Sequence, residues 1–581
     1  MQRNVESHFS QLPQANIQRS IFDRSCSYKT SFNAGELVPF FVDEVLPGDT
    51  FDITTAKVVR SQTLLTPLMD NLYLDTFYFF VPNRLVWDHW KEFCGENTSG
   101  AWAPSQEYTI PTIAAPEGGF ASGTLADYMG LPVGVNWKAS DPLAPSALPF
   151  RAYALICDHF FRDENLMDPL LIPTGDANQT GVNDSSLSAP ANGGKPFVAC
   201  RYHDYFSSAL PSPQKGDPVG IPITIPGFDG GTFPVTTIPF DTSTPVPTDD
   251  LNRLFIWRSN TNNPTSASST PTFKAQVLGS LDQQKKSGDA YSRNVVVNDL
   301  NTTGLPWAPA NLATVIPSQG STGASEVSFT INQFRLAYTM QCFLERLARG
   351  GSRYSELLLS LFGVKSPDAR LQDPEYLGGN RIPLSVTEAT NTAQTELDFL
   401  GDVGAKSVSS DVHPDFVKSF TEHGYVIGLM CVRYDHSYGQ CVNRMWTRKK
   451  FTDFYNPMFA NLGEVPIYKA ELYASSDTIA NDANIFGYQE IWSDYRYKPN
   501  LVTGEMRPGV TNSLAHWHLA DHYSSEPTLS AEWIAEDKSN VDRVLAVQSS
   551  VANQFWADIF IKNKCTRCMP MYSIPALEPR L

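Results

Sequence analysis

The most constraining feature of this sequence is a run of three strand-like segments close to its start. Residues 37–45 are rich in Phe and Val, residues 50–59 alternate between apolar and polar side chains, and residues 72–81 are almost wholly apolar and aromatic. Alternation is typical of a strand buried on one face, whereas a short continuous apolar run is typical of a strand buried on both faces. Pro47, Gly48 and Asp49 predict a turn between the first two segments. The chain is therefore predicted to be mainly β.

Apolar side chains at helical spacing predict helices between the strands. Residues 83–94 carry Val86, Trp90 and Phe93 on one face, and residues 149–161 carry a similar stripe. Residues 336–349 predict a third helix, which Gly350 ends, and a further helix is predicted from Ser352 to about residue 363.

Strand-like segments return in the last third of the chain. They cover residues 424–434, 465–473, 485–497, 514–519 and 541–547. Strands at both ends of a chain, with helices and insertions between them, are typical of a jelly roll whose terminal strands meet in the same sheets.

The composition limits the classes of protein that fit this pattern. The chain has 581 residues, of which 18% are charged, against about 25% in an average protein. A low charge content combined with 12% aromatic residues is typical of a surface that neighbouring chains cover. The net charge is −17, and an acidic chain neutralises phosphates poorly, so any nucleic acid held by this chain needs cations from another source.

The cysteines and the hydropathy pattern predict the cellular setting. The nine cysteines are an odd number scattered along the chain, which favours a reducing compartment over a disulfide framework. The first residues contain no apolar stretch of the signal-peptide type, and no run of about 18 apolar residues predicts a membrane span.

Residues 207–325 differ in composition from the rest. They are rich in Pro, Ser, Thr, Asn and Gly, and a structureless loop of this length inside a compact domain is uncommon. We expect an insertion with short strands of its own rather than a disordered linker, because it contains aromatic residues that can be buried. These include Phe228, Phe233, Phe240, Phe255 and Trp257.

Two long motifs carry a resemblance to a known family. LYLDTFYFFVPNRLVWDHWKEFCGEN begins at Leu72, and FLERLARGGSRYSELLLSLFGVKSPDARLQDPEYLGG begins at Phe343. Both closely resemble the major capsid protein of microviruses, on the gokushovirus branch of small icosahedral phages with single-stranded DNA. Similar segments cover about residues 17–95, 148–166, 334–380 and 420–581.

The resemblance implies a single eight-stranded antiparallel jelly roll with long loop and helical insertions. Residues 1–35 are expected to form an N-terminal arm, residues 36–206 and 326–581 the jelly-roll core, and residues 207–325 a surface protrusion at the threefold axis. The protrusion suits attachment to the host, since exposed loops tolerate variation that a scaffold does not.

The resemblance also implies the partners. Copies of the chain are expected to close into a T=1 icosahedral shell around circular single-stranded DNA, assembled in the bacterial cytoplasm. A small basic packaging protein, other minor virion proteins and a host cell-surface receptor are the further partners. No cofactor and no catalytic role are expected.

One basic and aromatic segment is a candidate for contact with single-stranded DNA. Arg444, Arg448, Lys449 and Lys450 suit phosphates, and Trp446 suits stacking on bases. Lys562, Lys564 and Arg567 form a second, weaker cluster. The alternative for both is a subunit interface or a solvated loop.

Two other clusters favour structural roles. His516 and His518 share a face if residues 514–519 are a strand, with Asp521 and His522 just after, but a polar strand end explains them better than a zinc site. Cys565 and Cys568 form a single CxxC without the second pair or the redox context that such motifs need. We therefore expect neither a metal site nor a catalytic site.

The competing class of protein is a soluble all-β carbohydrate-binding or glycoside-cleaving protein, because jelly rolls host those functions too. A secreted protein of that class needs a signal peptide, which the first residues do not predict.

Overall fold

A computed structural model describes most of the chain. Side chains are described for residues 18–96, 107–217, 331–349, 373–390, 404–480 and 484–572, together with residues 219 and 360, and five strands between residues 254 and 310 are described as backbone. The chain forms two compact units, one of residues 1–218 and 341–581 and one of residues 219–340.

The strands are numbered in chain order. They are β1 (Ser20–Asp23), β2 (Cys26–Phe32), β3 (Val38–Val45), β4 (Thr50–Ser61), β5 (Leu72–Pro82), β6 (Ile113–Ala114), β7 (Gln179–Thr180), β8 (Leu254–Ser259), β9 (Thr272–Val277), β10 (Lys285–Lys286), β11 (Ala290–Tyr291), β12 (Ala308–Ala310), β13 (Glu375–Pro383), β14 (Val386–Thr390), β15 (Val403–Ser419), β16 (Gly424–Tyr434), β17 (Ser437–Tyr438), β18 (Glu464–Tyr468), β19 (Ile485–Glu490), β20 (Asn500–Leu501) and β21 (Phe555–Arg567).

The α-helices are short, with two exceptions. They cover Asn83–Val86, Trp90–Phe93, Leu125–Tyr128, Leu148–Ile156, Ile331–Arg349, Lys469–Leu472, Ser476–Ala480, Ser493–Arg496, Ala531–Ile534 and Ser539–Val544. A π-helical turn, Cys157–Phe161, follows the fourth helix. Among the helices that the structure describes, none is long and apolar enough to cross a bilayer.

Two antiparallel sheets dominate the first unit. The six-stranded sheet has the order β1-β21-β4-β15-β14, and β2 also pairs with β21. The four-stranded sheet has the order β13-β5-β16-β3. Strands far apart in sequence are therefore neighbours: β21, close to the end of the chain, lies between the N-terminal β1 or β2 and β4.

The largest core lies between these two sheets. It contains Phe51 and Ile559 from the six-stranded sheet and Leu74, Tyr78 and Met430 from the four-stranded sheet. All five side chains are fully buried. The Tyr78 ring meets the Phe416 ring edge-to-face at 5.4 Å between centroids, which joins the sheets directly. Alternate residues of β4 and β21 point into this core, as period-two patterning requires.

A second core covers the other face of the four-stranded sheet. Phe79 and Leu429 point away from the first core and pack in one cluster with Leu148, Phe150 and Tyr153 of the helix Leu148–Ile156. The Tyr153 hydroxyl donates a 2.7 Å hydrogen bond to the carbonyl of Leu37, which fixes the helix to the start of β3. The central strands β5 and β16 of the four-stranded sheet are thus buried on both faces.

The second unit contains a three-stranded antiparallel sheet in the order β12-β8-β9 and the short hairpin of β10 and β11. Phe255 and Trp257 fall on β8, where the structure describes the backbone alone. Phe228, Phe233 and Phe240 lie outside the described residues.

Several predicted elements are confirmed. Strands are present at Val38–Val45, Thr50–Ser61, Leu72–Pro82 and Gly424–Tyr434, and helices at Leu148–Ile156 and Ile331–Arg349. The mainly β class with antiparallel sheets is confirmed, and it is consistent with a jelly-roll barrel. The helix predicted from Ser352 lies outside the described residues, except for Ser360.

Other predicted elements are wrong. Residues 541–547 are not a strand but the helix Ser539–Val544, in which Val541 and Val544 are buried three residues apart. Residues 514–519 contain the 3-10 turn Ala515–Trp517, and the strands predicted at 465–473 and 485–497 stop at Tyr468 and Glu490. Short apolar runs do not distinguish a strand from a buried helical turn, and this ambiguity caused each error.

The helix predicted at residues 83–94 is instead two short helices. Asn83–Val86 and Trp90–Phe93 are separated at Trp87, whose backbone is extended. The Trp87 indole is fully buried and its Nε1 donates a 2.7 Å hydrogen bond to Asp176, so tertiary packing interrupts the helical pattern.

Candidate nucleic-acid and subunit surfaces

The guanidinium group of Arg444 is paired with groups of the same chain. Asn443 caps the 3-10 turn Arg444–Trp446, because its side-chain oxygen accepts a 2.9 Å hydrogen bond from the N–H of Met445. The side chain of Arg444 then turns inward, where it lies 2.6 Å from Glu471 Oε1 and donates to the carbonyl of Pro466. Burial of the guanidinium lowers its pKa, but the Glu471 carboxylate outweighs this and the pKa is raised.

Arg448 is held in the same way. Its guanidinium forms an ion pair with Asp494, donates a 2.9 Å hydrogen bond to the carbonyl of Asp453, and stacks 4.3 Å from the ring centroid of Tyr495. The side chains of Arg448 and Asp494 are 8% and 9% exposed, so the charges neutralise one another with little water between them. Arg448 therefore stabilises the conformation of this segment and is not part of its exposed surface.

Lys449, Lys450 and Trp446 are exposed. The backbone N–H groups of Lys449 and Lys450 donate hydrogen bonds of 2.9 and 2.8 Å to Asp453 Oδ2 and lower the pKa of that carboxyl. This bond closes a tight turn that points both lysine side chains outward. Trp446 is 76% exposed and lies at the edge of a cleft of about 760 Å³ that Arg444, Arg448 and Asp494 also line.

The second predicted cluster lies on β21. Lys562 and Lys564 alternate with buried residues and point away from the core, on the outer face of the six-stranded sheet. Arg567 is bound inside the chain, since its Nε lies 2.9 Å from Asp49 Oδ2 and its terminal nitrogen donates to the carbonyl of Glu44. Lys562 is opposite Thr54, whereas Lys564 is opposite both Asp52 and Asp23.

The outer face of the six-stranded sheet carries exposed aromatic residues that the sequence analysis missed. Trp556 and Phe560 are 46% and 49% exposed and stand on the same side of β21 as Lys562. Trp556 is opposite Arg60 of β4, and Phe560 is opposite Ala56. The strict alternation from Phe555 to Cys565 was the available signal for this strand and for its outward side chains.

The predictions of DNA contact at these eight residues stay predictions. The structure places Arg444, Arg448 and Arg567 in intramolecular ion pairs and leaves the four lysines and Trp446 exposed. The two clusters lie on different elements: one is a loop before β18 and the other is the outer face of a sheet.

The histidine cluster has a structural explanation. His518 Nε2 lies 2.5 Å from the carbonyl of Met506, and its Nδ1 accepts a hydrogen bond from Ala520, so both ring nitrogens are used. Asp521 points into a buried ionic cluster instead of toward the histidines. Across the described residues, no three His, Cys, Asp or Glu side chains are grouped to hold a metal ion. Cys565 and Cys568 are free thiols.

The buried ionic cluster itself was not predicted. His436, which follows β16, lies between Asp521 (2.8 Å) and Glu536 (3.1 Å), and Arg201 pairs with Asp521 at 2.8 Å. Burial lowers the pKa of His436, but the two carboxylates outweigh it and raise the pKa to about 9. The cluster joins segments more than 300 residues apart, so sequence spacing gave no signal for it.

Comparison with known proteins identifies the family. Residues 10–577 match the family model described as capsid protein (F protein). The chain is 38% identical to capsid protein VP1 of Chlamydia phage 1, over 99% of this chain and 98% of the relative. It is 37% identical to capsid protein VP1 of Bdellovibrio phage phiMH2K, over 99% and 98% of the two chains. It is also 37% identical to capsid protein VP1 of Spiroplasma virus 4, over 94% and 93%.

Matches of this length exclude a relationship limited to one shared motif. The predicted resemblance to the major capsid protein of gokushovirus-like phages is confirmed, and the competing carbohydrate-active class is rejected. The chain belongs to the phage F capsid protein family, as a major coat protein that assembles with copies of itself into a capsid, a structural component of the virion and not an enzyme.

Proposed function

We propose that copies of this coat protein close into a T=1 icosahedral shell around a circular single-stranded DNA genome. Each subunit contributes one eight-stranded jelly roll. The observation that carries the proposal is the strand order. Four strands, β2-β21-β4-β15, face four others, β3-β16-β5-β13, and the chain passes from one sheet to the other at most steps. This exchange between two antiparallel sheets is the pattern of a jelly roll, which many viral capsid proteins use.

The long connections of this barrel serve as insertions. Residues 83–374 connect β5 to β13, and residues 435–554 connect β16 to β21. Within the first, residues 207–325 form the surface protrusion that contacts a host receptor, with Phe228, Phe233, Phe240, Phe255 and Trp257 as its apolar residues. The residues of the predicted arm that precede β1 run along the inside of the shell, whereas β1 and β2, which also fall within residues 1–35, pair with β21 in the six-stranded sheet. The separate compactness of residues 219–340 supports an insertion that varies independently of the barrel.

The outer face of the six-stranded sheet lies toward the genome. It combines Lys562, Lys564 and Arg60 with the exposed rings of Trp556 and Phe560. Cations for phosphates beside aromatic rings for bases are the arrangement by which proteins bind single strands without sequence preference. The outer face of the four-stranded sheet is covered by the chain itself, which leaves the six-stranded face as the open side of the barrel.

A small basic protein supplies the remaining neutralising charge. The chain has 44 Lys and Arg against 61 Asp and Glu, so its copies add negative charge to that of the DNA. Three of the predicted cations, Arg444, Arg448 and Arg567, are moreover already paired with carboxylates. Condensed phosphates need mobile or protein cations in roughly stoichiometric amounts.

Expression of the chain with the basic packaging protein and a circular single-stranded genome tests the proposal. We expect closed particles of uniform size by negative-stain microscopy, containing DNA that resists nuclease. Mass spectrometry of full particles should find a cationic polypeptide beside the coat protein. Open sheets, filaments or particles of another triangulation number contradict the proposal.

A further inference from the structure

Residues 445–462 form a loop with eight exposed apolar side chains, which we name the aromatic loop. It contains Trp446 at 76% exposure, Phe451 at 82% and Met458 at 87%. Further exposed apolar side chains in it are Met445, Phe454, Tyr455, Phe459 and Leu462. We infer that the aromatic loop is a contact surface for a second copy of this chain in the shell.

The exposed area is large enough for a specific contact. At about 200 Å² per aromatic side chain, the four rings of Trp446, Phe451, Phe454 and Tyr455 leave on the order of 500 Å² exposed. The methionines and Leu462 bring the apolar area close to the roughly 800 Å² that one partner buries in a standard protein interface. Contiguous apolar patches of this size are rare on monomeric surfaces unless they bind something.

The loop is already held in one conformation. Asn443 and Asn456 cap its 3-10 turns by accepting hydrogen bonds from the N–H groups of Met445 and Met458. The Trp492 indole donates a 3.0 Å hydrogen bond to the carbonyl of Phe459, and the ion pair of Arg448 with Asp494 fastens the middle of the loop. A surface that is ordered before binding loses little conformational entropy when a partner arrives, which favours affinity.

The distribution of charge favours a protein partner over DNA. Residues 454–462 contain no charged side chain, so phosphates have no cation to pair with along that half of the loop. Depletion of charge with enrichment in Trp, Tyr, Phe and Met is the composition of interface centres. Lys449 and Lys450 are the exposed cations of the loop, and an acidic copy of the same chain, with a net charge of −17, attracts them.

The inference rests on the proposed function, because a second copy is the occupant only in an assembly. Of the two functions considered for residues 444–451, the inference therefore favours a subunit interface over contact with DNA. In a closed icosahedral shell such a contact is isologous at a twofold axis or heterologous around a threefold or fivefold axis.

Charge placed in the loop tests this inference. The double variant Phe451→Asp with Met458→Asp is compared with Leu143→Asp with Val551→Asp, which adds the same charge at side chains that are 95% and 81% exposed elsewhere. We expect the loop variant to keep the circular dichroism and thermal midpoint of the wild type, while self-association by sedimentation velocity weakens about tenfold or more and shells are lost. The control variant assembles like the wild type. Trp446→Ser provides a milder variant with a smaller loss in the same direction.

Each other outcome overturns the inference. Normal assembly of the loop variant shows that the loop is not a subunit contact. Normal shells that contain less DNA show that the loop binds the genome instead. Failure of the proposed function gives a different result, since the wild-type chain then forms no shells. Sedimentation velocity still tests the inference in that case, because a loop variant that self-associates as strongly as the wild type contradicts it.

Discussion

The two sheets of the barrel share one core but differ completely on their outer faces. On the four-stranded sheet, Phe79 and Leu429 point outward and are still fully buried, because the helix Leu148–Ile156 and its neighbours cover them. On the six-stranded sheet, Trp556 and Phe560 point outward and remain about half exposed. The comparison shows that one outer face of the barrel is covered within the chain, whereas the other is left open, and we propose that the assembled particle covers it.

The sharpest test of this difference uses the same residue type on both faces. Phe79→Ala should lower the free energy of unfolding of the isolated subunit by about 3–5 kcal/mol, because it leaves a cavity in a closed core. Phe560→Ala should change it by less than about 1 kcal/mol, because half of the ring is already in water. Urea unfolding of both variants measures the two values. Equal losses contradict the distinction between a covered and an open face.

A second test concerns the buried ionic cluster around His436, which follows β16 of the four-stranded sheet. The pKa of His436 in the fold, about 9, lies above its ordinary value near 6.5. Charged His436 therefore stabilises the fold fully below about pH 6.5, and this contribution is lost as the pH rises through 9. We expect the free energy of unfolding to fall by about 3 kcal/mol across that window, measured as urea midpoints from pH 6 to 10.

Two variants isolate the effect of His436. His436→Gln should be less stable than the wild type at pH 6 and should lack most of the fall between pH 6.5 and 9, because it removes the charged imidazole from Glu536 and leaves Asp521 paired with Arg201 alone. His203→Gln, at an exposed histidine, should follow the wild-type curve. A wild-type fall that persists unchanged in His436→Gln contradicts the assignment.

The smallest effect is expected on the open face, and on binding rather than on stability. Lys562→Gln with Arg60→Gln should reduce the salt dependence of binding to a single-stranded oligonucleotide by about 1.4 in the log–log slope, since each phosphate contact contributes about 0.7. Lys564→Gln should change the slope less, because Asp23 and Asp52 lie opposite that lysine.

Lysines elsewhere provide the matched control for the open face. Lys91→Gln with Lys138→Gln removes the same charge at exposed positions outside both sheets and should leave the slope unchanged. Fluorescence anisotropy at several salt concentrations measures the slope for the wild type and the three variants. Equal reductions for both double variants mean that net charge, and not the sheet face, determines the binding.

Sequence patterning predicted the buried elements whose residues alternate between apolar and polar or form long apolar runs. The strands β3, β4, β5 and β16 and the helix Leu148–Ile156 have such patterns. The strand β15 was missed because its pattern is reversed: inward residues such as Ser407 and Ser409 are polar, whereas outward residues such as Val412 are apolar. The 3-10 turn Ala515–Trp517 and the helix Ser539–Val544 were mistaken for strands because their apolar runs are too short to show a period.

The candidate site was predictable in composition but not in geometry. The cations at Arg444 and Arg448 were visible in the sequence, but their partners Glu471 and Asp494 lie 27 and 46 residues away, in two separate short helices. Which cations are neutralised inside the chain depends on tertiary contacts that residue spacing does not encode. The aromatic residues of the loop were visible too, whereas their exposure follows from capped turns that hold them away from the core.

A map of the assembled particle at moderate resolution tests the central claim most directly, because it shows what lies against each outer face of the barrel. The account predicts genome density against the face that carries Trp556, Phe560 and Lys562, and a neighbouring subunit against the aromatic loop. A particle in which the six-stranded face looks outward into solvent, or in which the aromatic loop touches no other copy, contradicts it.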